Sequence, residues 1–151
     1  MALKILRYPD KRLKKVSAEV TDFEEAKKIA LELEESTRNV DQPWKLWLGM
    51  AAPQIGYNKR LILIKKSFQK YKIMVNPKIL EERWRFWTKS TCYSVPGLYL
   101  YRSNYWVKVR YQTLKGQTKK EILKGGKAIA LKHEIDHLNG ILLPDIAQRI
   151  L

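Results

Sequence analysis

Between residues 21 and 38, apolar positions recur at helical spacing, with Phe23, Ala26, Ile29, Ala30 and Leu33 on one face. Thr21, followed three residues later by Glu24, has the spacing of a capping box, so a helix is predicted from there to about Arg38. The period then breaks. A stretch containing Pro43, Gly49 and Pro53 reads as irregular, and the run from Arg60 to Lys65 reads as a strand. Further strand-like runs cover Lys72 to Val75, Ile79 to Trp87, Tyr105 to Gln112 and Lys119 to Leu123. Asn76-Pro77 separates the first two of these, and the turn signal at Lys115-Gly116 makes the last two a hairpin. Helical spacing returns near Gly126 with Ile129, Ala130, His133 and His137, and Asn139-Gly140 supplies residues that tolerate the left-handed conformation ending a helix. Two helices and several strands that do not alternate predict an α+β fold.

Length changes this picture little: 151 residues predict one domain, 1–151, without fixed-period repeats or a low-complexity linker. A chain of this size buries enough surface to fold without disulfides or a structural metal, so any metal needs another reason to be there. The strongest apolar run, Leu61-Ile62-Leu63-Ile64, is far shorter than the ~20 residues that cross a bilayer. No membrane association is therefore expected. Cys92 is the only cysteine, which excludes an intramolecular disulfide and suits a reducing compartment. The opening Met1 to Arg7 lacks the apolar core of a secretory signal, and the expectation is a cytoplasmic protein.

Charge is the skewed quantity. Thirty Lys and Arg against fifteen Asp and Glu leave a net charge of +15. Such an excess suits an anionic partner, yet the basic residues are scattered from Lys11-Arg12 through Lys65-Lys66 to Lys119-Lys120, so a solvated cationic surface stands beside that reading. Trp44, Trp84, Trp87 and Trp106 form no recognisable nucleic-acid signature, and core packing is expected for them. Sequence-specific nucleic-acid binding is not expected.

His133-Glu134-Ile135-Asp136-His137 carries the chemistry. Residues four apart on a helix lie one turn apart on one face, so both imidazoles can reach a single metal ion. Glu134 beside the first of them can accept a proton from water without itself becoming a ligand. Two histidines on an ordinary amphipathic helix would produce the same pattern. The chain, however, has only two histidines, and both are here. A catalytic site of this type takes three protein ligands, and Cys92 is the natural third because a thiolate binds borderline and soft divalent metals strongly. Its charge would leave metal-bound water less acidified than a three-histidine set does, which makes a neighbouring base such as Glu134 more necessary.

With these residues in place the sequence resembles the peptide deformylases, metallohydrolases that remove the N-formyl group from newly made polypeptides. The family's His-Glu-x-x-His segment is matched at 133–137, its Gly-x-Gly-x-Ala-Ala-x-Gln segment from Gly49 through Gln54, and its Glu-Gly-Cys-Leu-Ser segment at Cys92 and Ser94. Arg7-Tyr8-Pro9-Asp10, Val75-Asn76-Pro77 and Ser94-Val95-Pro96-Gly97 also look like family sequence in family order, so the likeness spans essentially the whole chain. It implies antiparallel strands around a central helix carrying the His-Glu-x-x-His motif. It further implies one divalent ion held by Cys92, His133 and His137, Fe(II) in the cell with Zn, Ni or Co as substitutes. Glu134 would be general base and then acid, with the Gln54 amide and the Tyr93 backbone N–H stabilising charge on the formyl oxygen. Leu48, Gly49, Thr91, Ile129 and Ala130 would contact the nascent N-formyl-Met polypeptide, although Ile129 and Ala130 are equally readable as ordinary core. The implied setting is the cytoplasm (a host's, for a phage-encoded form), near the ribosome through the basic surface.

Two departures stand out. Trp47 occupies the place of the family's first glycine, predicting an altered loop or a narrower entrance, and Ser90-Thr91 replace an acidic residue and a glycine before Cys92. Few residues follow His137, and Arg149 is the one basic residue from Pro144 onward. The resemblance is thus to compact phage or organellar forms rather than to those extended by a ribosome-docking helix. Asp136, inside the motif, is expected to pair with a cation, Arg102 being the candidate, or else to face water.

Overall fold

The computed structural model describes residues 4–151, so Met1 to Leu3, which open the segment read for a secretory core, lie outside the described residues. Helix α1 (Phe23–Arg38) is capped by Asp22 rather than by Thr21: the Asp22 carboxylate accepts from the Glu24 and Glu25 N–H groups at 3.0 and 3.2 Å. A carboxylate at this end also meets the positive pole of the helix, which a hydroxyl cannot match.

Strands β1 (Gly49–Ala51), β2 (Leu61–Ser67), β3 (Lys70–Cys92), β4 (Val95–Gln112) and β5 (Thr118–Lys124) pair antiparallel in that order, and β6 (Gln148–Arg149) pairs with β4. Several of the expected boundaries fail. The stretch expected to be irregular holds β1, which pairs with β2 from Gly49 opposite Ile64. The two runs expected on either side of Asn76-Pro77 are one strand, because Asn76 takes a positive φ of 50° and the register shifts between Val75 and Lys78 without the chain leaving the sheet. Strand β4 likewise begins ten residues before the expected Tyr105. Gly116, with φ +80°, closes the expected β4–β5 hairpin.

Helix α2 (Gly126–Leu138) is buried nearly all round, as expected of a helix inside a core. One side of the sheet packs on it through Ile62, Ile64, Met74, Val107 and Val109. The other side of β2, through Leu61 and Leu63, packs on Ala26, Ile29, Ala30 and Leu33 of α1. This double coverage explains why Leu61 to Ile64 is continuously apolar where a half-exposed strand would alternate. After α2 a short helix, α3 (Leu143–Ile146), leads into β6. The architecture is α+β, with antiparallel strands around a central helix that carries the histidines.

Core packing holds for Trp106, which is 8% exposed, but not for the other tryptophans. Trp44, Trp84 and Trp87 are 73%, 61% and 59% exposed. Arg102 lies over the Trp87 ring at 5.7 Å and Tyr105 beside Trp84 at 6.2 Å, so a cation and a neighbouring ring, in place of core, lie against these two indoles.

Candidate metal centre

The last residue of β3 meets the middle of α2. Cys92 Sγ lies 3.3 Å from His137 Nε2, which lies 3.2 Å from His133 Nε2, and the donor atoms of all three side chains fall within 4.8 Å of one another. The imidazoles come from consecutive turns, with ring planes at 88°. The sulfur is delivered from a distant part of the chain because β3 continues to the Cys92–Val95 pair, where Tyr93 and Ser94 make the turn into β4. Ser94 N–H donates to Sγ at 3.4 Å.

Glu134 is 2% exposed, and its Oε1 and His137 Nδ1 are buried with no hydrogen-bond partner among the described residues. Gly49 of β1 presses directly on this carboxylate: a Cβ built there would sit 2.7 Å from Glu134 Cγ and 2.8 Å from Oε2. Gln54 is fixed at both ends of its amide. Its Oε1 accepts from Ala51 N–H at 2.9 Å, and its Nε2 donates to Ser94 Oγ at 3.0 Å while lying 3.9 Å from Cys92 Sγ.

Burial dominates the electrostatics. It pushes the Cys92 thiol up to about 12, with the Glu134 carboxylate adding to the effect. It holds His133 down to about 4, and His137 well below the usual imidazole value with His133 contributing. Glu134 is driven well above the usual carboxyl range by burial and then by Asp136. All of these directions favour uncharged groups, which is the expected cost of desolvation. A divalent cation among the donors reverses the cost, since positive charge favours thiolate and carboxylate while neutral imidazole is already the ligating form. One sulfur and two imidazole nitrogens, converging beside a carboxylate oxygen without a partner, thus fit a metal ion.

Asp136 does not meet Arg102. Its Oδ2 accepts from Tyr101 OH at 3.0 Å, with Lys132 the cation acting on it and burial raising its carboxyl to about 6. Arg102 is occupied on the Trp87 ring, and Tyr101, buried under the motif, both holds Asp136 and meets the His133 ring nearly at right angles with centroids 6.5 Å apart.

A cleft of about 700 Å³ opens over the site, lined by Leu48, Gly49, Gln54, Thr91, Cys92, Tyr93, Ile129, Ala130, His133 and Glu134. Every residue expected to contact substrate lies on it, while His137 lies behind. The mouth carries groups not foreseen from the sequence: Lys45, Phe86, Lys89 and Tyr105. Alternation along β3 could have flagged Phe86, and no periodicity marks the other three. Trp47 also lines the mouth, 60% exposed, with its indole where a Gly126 Cβ would stand, 1.9 Å from Trp47 Cδ2. The bulky replacement is thus accommodated by a glycine at the start of α2.

A sequence model described as polypeptide deformylase matches residues 2–150. The peptide deformylase of Desulfotalea psychrophila is 37% identical over 149 residues, covering 95% of this chain and 86% of the relative. Among solved structures, that of the Thermotoga maritima peptide deformylase superposes with a TM-score of 0.87 at 30% identity, covering 97% of each chain. A Met-Ala-Ser-bound class I type b peptide deformylase from Acinetobacter baumannii does so with a TM-score of 0.86 at 28% identity, covering 96% of this chain and 99% of the other.

Proposed function

Because the chain belongs to the peptide deformylase family, whose members hydrolyse the formyl group from nascent polypeptides, we propose how its own residues divide that work. Cys92, His133 and His137 hold the single divalent ion, Fe(II) in the cell with Zn, Ni or Co as substitutes. When bound, the ion supplies Lewis-acid polarisation of the formyl carbonyl and acidifies water.

Glu134 takes the proton from the attacking water and returns it to the departing amide nitrogen, so that water and formyl amide leave as formate and a free amino terminus. Its position supports this role: the carboxylate lines the cleft beside the three ligating atoms, and its Oε1 has no hydrogen-bond partner among the described residues. The Gln54 amide, held rigidly by Ala51 and Ser94, and the Tyr93 N–H are the donors for charge developing on the formyl oxygen. Leu48, Gly49, Thr91, Ile129 and Ala130 receive the first residue of an N-formyl-Met chain. The Acinetobacter relative, solved with Met-Ala-Ser bound, supports a peptide as the ligand of this chain.

The stretch 1–151 acts as one domain, in the cytoplasm where its substrates are made, close to the ribosome through its basic surface. The observation that carries the reading is the convergence of sulfur and two imidazoles beside Glu134 at the floor of the cleft. Formate release from formyl-Met-Ala-Ser by protein prepared with Fe(II) under anaerobic conditions tests it: turnover that tracks metal content supports the assignment, and turnover indifferent to metal content contradicts it.

A further inference from the structure

The sheet is covered unequally. Ile79, Val107, Val109, Tyr111 and Leu123 face α2, but the alternate positions on β3, β4 and β5 point the other way. Register arranges those positions in three rows. Lys78 stands opposite Arg110, itself opposite Lys120; Glu81 stands opposite Lys108, itself opposite Ile122; and Arg83 stands opposite Trp106, itself opposite Lys124. Six cations therefore share one face with a single carboxylate, Glu81, which is already held by Arg83 at 2.7 Å.

The neighbouring acids are engaged elsewhere. Glu121, on the α2 side, holds Lys72 at 2.7 Å, and Glu82 holds Lys132 of α2 at 3.2 Å. Lys78 and Arg110 also border a hollow of about 450 Å³ whose walls include Arg60 and Asn76, with Glu19 as its one carboxylate. The Arg60 guanidinium there is bonded to uncharged oxygens, Leu138 O at 3.1 Å and Asn139 Oδ1 at 2.9 Å.

Like charges directly across a strand pair destabilise a sheet, and here three stand in one row. An anionic partner removes that repulsion. Cations recurring at about 4.8 Å across strands and about 7 Å along them form a grid suited to an extended polyphosphate rather than to one compact anion. A lipid surface fits less well. Trp106 is 8% exposed under Arg83, whose guanidinium lies 4.4 Å from the ring centroid, which leaves Ile122 as the exposed apolar side chain of these rows.

We propose that the open face of β3, β4 and β5 binds RNA through its phosphate backbone, without reading base sequence. The choice of RNA over DNA rests on the proposed function, whose substrate is a polypeptide still being made; the phosphate contact does not.

Fluorescence anisotropy with a labelled RNA stem-loop across a salt series tests the proposal. Affinity falls as salt rises. The triple variant Lys78→Gln, Arg110→Gln, Lys120→Gln binds at least roughly tenfold more weakly, with a log–log salt slope shallower by about 2 to 3. Its melting temperature is not lowered, and its formate release from formyl-Met-Ala-Ser is unchanged. A control with the same charge change elsewhere, Lys15→Gln, Lys28→Gln, Lys66→Gln, keeps nearly the parental affinity. Equal weakening in that control would reduce the effect to net charge and overturn the proposal. So would absence of RNA binding, or capture by phosphatidylglycerol vesicles in its place. Either failure with formate release intact leaves the enzymatic reading standing, whereas RNA binding without formate release would spare this proposal and sink that reading.

Discussion

The buried polar side chains around Asp41 and those around Glu134 differ in where their hydrogen bonds end. Around Asp41 all of them end inside the protein. Lys65 Nζ donates to Asp41 Oδ1 at 2.7 Å and to Gln42 O at 3.0 Å, while Asp41 Oδ2 accepts from Gln69 N–H at 3.0 Å and Tyr71 OH at 2.8 Å. The two charged side chains are 3% and 0% exposed. Around Glu134 a carboxylate oxygen and an imidazole nitrogen are buried with no partner among the described residues, and three ligating atoms face one another. Burial pushes both carboxyls upward. At Asp41 the Lys65 ammonium, the Gln69 N–H and the Tyr71 hydroxyl outweigh it and hold the group below its usual value, whereas at Glu134 nothing does. A buried cluster closed on itself is architecture; one left open is arranged for something that arrives from outside.

Substitutions in each cluster sharpen the contrast. The largest effect is expected at the open one: Glu134→Ala should lower turnover of formyl-Met-Ala-Ser by about 10²–10⁴-fold while metal content stays unchanged. Retained turnover would remove Glu134 from its role as base. Next, Lys65→Met leaves the Asp41 carboxylate buried and unpaired, at a cost of about 3–5 kcal/mol in a denaturant titration. The rate per folded molecule should be preserved, and an unchanged midpoint would show that the closed cluster does not carry stability.

Gln54→Ala returns to the open cluster. Loss of one donor aimed at developing charge should reduce kcat by about 10²–10³-fold with little change in KM. A rise in KM alone would mean that Gln54 only binds substrate.

The smallest effect is on pH dependence. Asp41 titrates below its usual 3.8 in the folded chain, so it binds fewer protons there than when unfolded. Its contribution to stability is full above that ordinary value and disappears as pH falls through the lowered one. Asp41→Asn should flatten this part of the acid unfolding curve, and an unaltered slope would contradict the assignment.

How much of this was legible in the sequence depended on distance along the chain. His133, Glu134 and His137 could be placed together because helical geometry fixes residues four apart. Cys92 could be joined to them only through the chemistry of thiolates and the family likeness, since no spacing rule spans the path from β3 to α2. Asn76-Pro77 was misleading for a local reason: a left-handed residue followed by proline suits a bulge as well as a turn, and only the partner strand decides between them. Arg102 was a reasonable partner for Asp136 by charge, but alternation along β4 gives adjacent residues opposite faces, so Tyr101 reaches α2 and Arg102 does not. Trp84 and Trp87 failed similarly, because their size favours a core that the outer part of the β3–β4 ribbon does not have. The closed cluster left no signal at all: Asp41, Lys65 and Tyr71 are ordinary polar residues until the fold assembles them.

Metal content per chain, measured on the parent and on Cys92→Ala after identical anaerobic purification with Fe(II), addresses the open cluster most directly. The parent should hold close to one equivalent and the variant only a small fraction of it, with far-UV circular dichroism superimposable. A Cys92→Ala protein that kept its full equivalent would contradict the metal centre described here.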